Sequence, residues 1–406
     1  MNNRQSKDKL YDHIFHHNVF NTHSHHLPDS FFENFNLTKI IEQGYVHWQR
    51  YPLTNDYHSR NAYLAKVRYK SYFIWLEKSL QHLYGFDGDI TADNWESIDN
   101  IIASTYHKKK DHHLDILKNS CKYDEIILDA YWQPGSDNSH KDIFKSTFRI
   151  DPLLQGYANN AVDHDGNNPY KLYNKSFSTL ETYIDWIEYL ISKQKANGCI
   201  ALKSAVAYDR ALDFHVVDKN KAKKIFETDP AKISLKMITE FQDYVFQVIC
   251  ELACEHDLPL QCHTGMGTLD NTRAMAMHNI ISKNPNTKFV LLHCSFPWTD
   301  DICALLHNYP NVYPDLSWLP LLSYTAGKKI LHQLIEIGSI DKICWGCDTR
   351  TAEESFGALL SFKNVLQEVL CEKIDSGYFS ISNAFDITDH IMIKNASKLY
   401  TRNENK

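Results

Sequence analysis

SFSTLETYIDWIEYLISKQKANG (176–198) runs directly into CIALK (199–203), and this helix-to-strand junction decides the fold. Ser178 stands three residues before Glu181, the spacing of a capping box, and Gly198 supplies the stop. CIALK is a short apolar run, which reads as a buried strand. Downstream the same unit recurs. A long helix over about 232–256 leads to LPLQCH (258–263), RAMAMHNIISKNP leads to TKFVLLH (287–293), and DDICALLHNYP leads to NVYPDLS (311–317). KKILHQLIEIG then leads to DKICWGCD (341–348), and GALLSFKNVLQEVL opens the closing helices. Upstream, strands are expected near 18–23, over EIILDA (125–130) and over STFRID (146–151).

This makes eight strands, mostly separated by helices. Alternating βα units imply a parallel sheet, and eight can close. The expected fold class is α/β, a (β/α)8 TIM barrel, forming a single domain over residues 1–406. One segment breaks the rhythm. From about 30 to 120 aromatic and charged residues follow helical spacing, as in KVRYKSYFIWLEKSLQHLYG and ESIDNIIASTYHKK. It reads as a helical insertion after strand 1, its aromatic stripe serving as core.

Composition narrows the function classes. The chain has 406 residues, 43% hydrophobic and 23% charged, with net charge -7. No basic stripe marks a nucleic-acid partner, and Lys108-Lys109-Lys110 reads as a solvated helix face. No run of about 18 apolar residues suggests a membrane span. The polar start MNNRQSKDKL has no signal-like apolar region, and the 10 scattered cysteines sit mostly in apolar runs. Together these imply free thiols and a cytoplasmic location. Cys344 and Cys347 have CxxC spacing but no second pair, so neither a zinc nor a redox role is expected. The expected partner is a small-molecule substrate, and a homo-oligomer is compatible with the sequence.

Barrel enzymes carry their sites at the C-terminal strand ends. Those ends supply His23 and His25, then Lys203, His263, His293 and Asp348, all ligand or acid–base types. Side chains alternate along a strand, so His23 and His25 point the same way and can grip one metal. His263 and Asp348 converge from other strands. Nitrogen plus carboxylate donors suit Zn2+, with Mn2+ or Fe2+ as alternatives. An ion with an open position activates water, and Asp348 could hold the ion or take the proton. Arg149 and Asp151 end strand 3 and could line the mouth or pair with each other. Trp318 follows strand 7, where an aromatic could wall the pocket. Gly265 and Gly267 suggest a tight loop after strand 5.

His23-Ser-His25, Cys262-His263, Leu292-His293 and Gly346-Cys-Asp348 resemble the amidohydrolase superfamily, over roughly 17–26 and 120–400. The amidohydrolase-related (amidohydrolase 2) branch fits best. Residues 201–212, from Ala201 through Lys203, Tyr208 and Arg210 to Leu212, are similar to strand four of the group fused elsewhere to glutamine-synthetase-like domains. Uronate isomerases are a more distant likeness, through the early helices including Asn94-Trp95. The resemblance implies His23, His25 and His263 as metal ligands and Asp348 as ligand and base. It implies His293 as a second-metal ligand or a group that polarises substrate. Lys203 would be carboxylated and bridge two ions, or else bind a substrate carboxylate with Arg210. Tyr208 could also contact substrate. Asn21 replaces a common Asp. The implied activity is hydrolysis of an amide, ester or lactone-type bond by metal-activated water. The alternatives are a metal-dependent decarboxylase or uronate-isomerase-like enzyme and, from another class, a non-catalytic small-molecule-binding barrel.

Overall fold

The computed structural model describes residues 3–401. Seven parallel strands pair in strict chain order: β1 (Val19–Ser24), β2 (Tyr123–Leu128), β3 (Phe144–Arg149), β4 (Ala201–Ser204), β5 (Leu260–His263), β6 (Phe289–Leu292) and β7 (Val312–Asp315). Helices lie between most of them, so the sheet curls into a TIM-barrel-like ring.

The expected eighth strand is reduced to one bridge, Asp315 to Cys344. Its neighbours still bond to both sides. Cys344 N donates to Pro314 O at 3.0 Å and Leu316 N to Cys344 O at 2.9 Å, while Thr22 N donates to Trp345 O and Asp348 N to His23 O. A regular ladder fails because the Cys347 N–H donates to the Asn21 side chain at 2.9 Å. Asn21 therefore ties the last segment to β1.

Strand alternation sorts the core. Phe20, Ile127, Ala201, Val290, Leu292 and Cys344 form an inner cluster with Ala396, Leu399 and Tyr400 of the C-terminal segment. Phe148, Leu202, Leu260, Phe289 and Leu291 belong to the larger cluster shared with the surrounding helices. Ala201 and Lys203 share a strand face, as do Gln261 and His263.

Between β1 and β2 the chain forms the helices Leu37–Gln43, Tyr57–Val67, Ser71–Tyr84 and Trp95–Lys108. They have their own cluster around Phe35, Tyr63, Phe73 and Trp95. The Leu180–Ala196 helix is capped by Thr179, which accepts from Thr182 N, so the cap falls one residue after Ser178. The long helix runs Leu235–Glu255 behind a Ser234 cap. All 10 cysteines are free and eight are buried. No described helix is long and apolar enough to cross a membrane.

Candidate active site

At the C-terminal end of β1, His23 and His25 both reach Asp348. His23 Nε2 lies 3.2 Å and His25 Nε2 3.1 Å from Asp348 Oδ1. These three residues offer donor atoms within 4.8 Å of one another. Burial would raise the Asp348 carboxyl, but hydrogen bonds from His23 and His25 outweigh it and hold it well below the usual range. Burial, aided by the Lys203 charge, pushes His23 down to about 3. The trio is thus one carboxylate with a neutral imidazole at His23.

Proton bookkeeping sharpens this. His25 Nδ1 lies 2.8 Å from the Asp129 carbonyl oxygen, which can only accept, so Nδ1 carries the hydrogen. In a neutral ring, Nε2 is then a bare lone pair aimed at a carboxylate oxygen 3.1 Å away. That contact is relieved by a second proton on His25 or by a metal ion standing between them. Two imidazole nitrogens and one carboxylate oxygen, gathered in this way, fit a divalent ion.

His263, expected with this trio, turns elsewhere. Its Nε2 donates to the Met266 carbonyl in the loop after β5, and its Nδ1 lies 2.9 Å from His293 Nε2. Gly265 makes that loop possible: its φ is +91°, and a Cβ there would sit 2.1 Å from Phe296 O. His293 Nδ1 is bonded to the Ser317 carbonyl at 3.0 Å. Both rings thereby spend their hydrogens on carbonyls, and two lone pairs face each other across the pair. A proton or a cation between them would relieve that contact. Burial pushes His293 down to about 4 although Asp348 opposes it, and holds His263 well below its ordinary value.

Lys203 is buried beside His23, its Nζ 3.5 Å from Nε2. Burial lowers its ammonium to about 8 despite the Asp129 charge, so a neutral amine is accessible near neutral pH. Arg149 is locked by Asp129 at 2.6 Å and Asp151 at 3.2 Å, forming the ion pair considered from sequence. Tyr208 packs on His263, ring centroids 4.5 Å apart. Trp318 stands 5.5 Å from His293 and 5.4 Å from Tyr45.

Arg210 is not part of the site. It pairs with Asp243 at 2.8 Å, donates to Thr239 O and lies over Phe214. It faces the Leu235–Glu255 helix, where a buried carboxylate claims it.

Three residues escape sequence reading. Tyr45, from the helical segment after β1, donates its hydroxyl to Asp348 Oδ2 at 2.9 Å. Glu354 accepts from Tyr45 N at 2.6 Å and is raised to about 8 by burial. Arg350, two residues after Asp348, bonds Tyr131 Oη at 3.2 Å. An aromatic on a helix gives no sequence signal of a site, but the Asp348-x-Arg350 spacing at a strand end does. His25, Tyr45, Tyr131, Tyr208, Arg149 and Arg350 line a cavity of about 530 Å³.

Residues 239–354 match the family model described as Amidohydrolase. A stretch of 281 residues, 64% of this chain, is 27% identical to Protein fluG of Emericella nidulans. The match spans only 32% of that protein's length. A uronate isomerase of Thermotoga maritima superposes with a TM-score of 0.78 at 17% identity, covering 98% of this chain and 97% of that one. A glucuronate isomerase of Caulobacter crescentus also reaches 0.78, at 12% identity, over 100% and 95%. At such identities the structural likeness speaks for the fold. The chain is thus similar to amidohydrolases over residues 239–354 and to the two isomerases in fold.

Proposed function

We propose that the protein is a metal-dependent enzyme that hydrolyses an amide, ester or lactone-type bond of a small, carboxylate-bearing substrate. The observation that carries this reading is the approach of His25 Nε2 to Asp348 Oδ1 at 3.1 Å with His25 Nδ1 already committed to a carbonyl. His23, His25 and Asp348 would hold the ion, with Zn2+ expected from the donor set and Mn2+ or Fe2+ as alternatives. When bound, such an ion supplies Lewis acidity and lowers the pKa of water towards neutrality.

The chain's own groups do the rest. Asp348 Oδ2 lies outside the His23–His25 contact and accepts from Tyr45 Oη, so this pair would take and pass the proton. His293, whose Nδ1 lies 3.8 Å from Asp348 Oδ2, would orient the substrate beside that carboxylate. Lys203 sits next to His23, so its charge state tunes the site. Arg149 is spoken for by two carboxylates. Arg350, bonded to a tyrosine hydroxyl, and Arg50 are the guanidiniums of the cavity lining left for a substrate carboxylate. One ion is proposed, because the remaining histidines face each other. The helices over 29–108 are read as an insertion that walls the pocket through Tyr45.

A second reading is favoured by the Tyr45–Asp348 hydrogen bond, which can hold and pass a proton: isomerisation of a sugar acid. The deciding experiment is zinc-, manganese- and iron-loaded protein assayed on a panel of lactones, amides and uronates. Acid release from lactones or amides supports hydrolysis. Ketose formation from a uronate with no acid release overturns it in favour of isomerisation.

A further inference from the structure

The helices Asn3–His16 and Ile381–Asp389 meet on a surface that shares no lining residue with the pocket above. Asp389 ends the second helix. His13 Nε2 lies 2.7 Å and His17 Nε2 3.2 Å from the same oxygen, Asp389 Oδ1. The other oxygen, Oδ2, is 3.1 Å from Lys394 Nζ. His13 lies in the last turn of the first helix and His17 just beyond its end, their rings edge to face with centroids 5.1 Å apart. The ligand atoms of the three residues lie within 4.8 Å of one another.

The hydrogens again do not add up for simple ion pairs between neutral rings. His17 Nδ1 lies 2.6 Å from the Asn18 carbonyl oxygen, an acceptor, so Nδ1 carries the hydrogen. A neutral His17 then directs a bare Nε2 lone pair at Asp389 Oδ1. Either a second proton or a metal ion relieves that contact. Zinc's bond lengths set a donor-to-donor spacing of about 3.3 Å, which the 3.2 Å contact already meets and the His13 contact reaches by a small rotation. His13 is braced by Phe385 at 4.9 Å, and the Asn18 carbonyl fixes the His17 tautomer, as outer partners do at metal sites.

We propose that His13, His17 and Asp389 form a second divalent transition-metal site, filled by Zn2+ or an ion of like preference, that ties the N-terminal helix to the C-terminal helices. Two nitrogens and one carboxylate suit such ions and not Mg2+ or Ca2+. An ion bound only by the folded chain raises its stability by mass action.

The test uses the full chain carrying His23→Ala and His25→Ala, so that the ion of the pocket does not contribute. The protein is stripped with chelator, titrated with ZnCl2 at neutral pH, and compared with the same chain bearing His17→Ala, Asp389→Asn or His13→Gln. The expected result is one zinc per chain and a zinc-dependent rise in Tm, both lost in each added variant. Undiminished zinc uptake and Tm rise in any correctly folded added variant overturns the site, as does no uptake by the parent. Three separate variants keep the test open if one fails to fold.

Discussion

Tyr45 Oη donates to Asp348 Oδ2 across 2.9 Å, linking the helices between β1 and β2 to the last segment of the barrel. The Tyr45 backbone is itself anchored, its N–H reaching Glu354 Oε1 at 2.6 Å. A side chain held from both ends is pre-organised, and hydrogen bonds to a charged group are the strong ones. Tyr45→Phe should lower kcat at least tenfold, corresponding to about 1.5–3 kcal/mol for a charge-assisted bond. Metal content and Tm should stay near wild type, because the ring still packs on Trp318 and Tyr72. Unchanged kcat on the best substrate of the panel would remove Tyr45 from the chemistry.

Asp348→Asn tests the trio directly. The amide keeps the size but loses the charge that faces His23 and His25. Zinc per chain, measured by elemental analysis after dialysis, should fall by at least tenfold in affinity terms, the range seen even when outer partners of a site are lost. His263→Ala is the informative comparison. With its nitrogens turned to Met266 and His293, it should retain zinc better than Asp348→Asn. Equal loss in both would return His263 to the ligand set.

What sequence reasoning could see was set by strand ends. His23, His25 and Asp348 were legible because period-2 alternation and eight strand ends confine side chains to one mouth. His263 sits at the right end, yet its direction depends on the Met266 carbonyl, which the Gly265 loop swings into place. Arg210 looked like a substrate group until Asp243 claimed it, since no local pattern announces a partner 33 residues on. Tyr45 was hidden for a different reason: an aromatic at helical spacing is core in most proteins, and only the tertiary path of the Leu37–Gln43 region brings it to Asp348. The eighth strand was legible as a strand, but its ladder is interrupted by the Asn21 side chain.

Glu354 gives the fold a pH dependence. Burial raises its carboxyl from 4.5 to about 8. A carboxyl raised on folding contributes stability that is fully present below its unfolded value and lost as pH climbs through the folded one. Wild type should therefore lose stability relative to Glu354→Gln between about pH 4.5 and pH 8, by an amount on the order of a few kcal/mol. Glutamine keeps an acceptor for Tyr45 N–H. Urea unfolding of both proteins at the two ends of that window measures the difference. A constant gap would mean that Glu354 titrates as an ordinary carboxyl.

Gly265→Ala should distort the mouth without removing a polar side chain. The backbone there has φ +91°, and the new Cβ would meet Phe296 O at 2.1 Å. The loop must shift, at a cost of about 1–3 kcal/mol for strained backbone. Because His263 Nε2 and the Met266 carbonyl depend on this loop, the His263–His293 contact should loosen and kcat should fall along with Tm. A variant with lowered Tm and full kcat would show that the His263 orientation is not needed for turnover.

Arg210→Ala separates stability from catalysis. The Asp243 carboxylate is 2% exposed on its side chain, and its partner lies 2.8 Å away. Removing the guanidinium leaves a buried charge unpaired, which costs about 3–5 kcal/mol in comparable pairs. Asp243 escapes part of this by taking up a proton, so the loss should be smaller at acid pH. Arg210 contacts none of His23, His25 or Asp348, and it faces the Leu235–Glu255 helix through Thr239 and Gln242. The expected outcome is a clear fall in urea midpoint with kcat/KM within about twofold of wild type for the folded fraction, which is less than 1 kcal/mol of transition-state stabilisation. A KM increase of tenfold or more with stability intact would instead restore Arg210 to substrate binding.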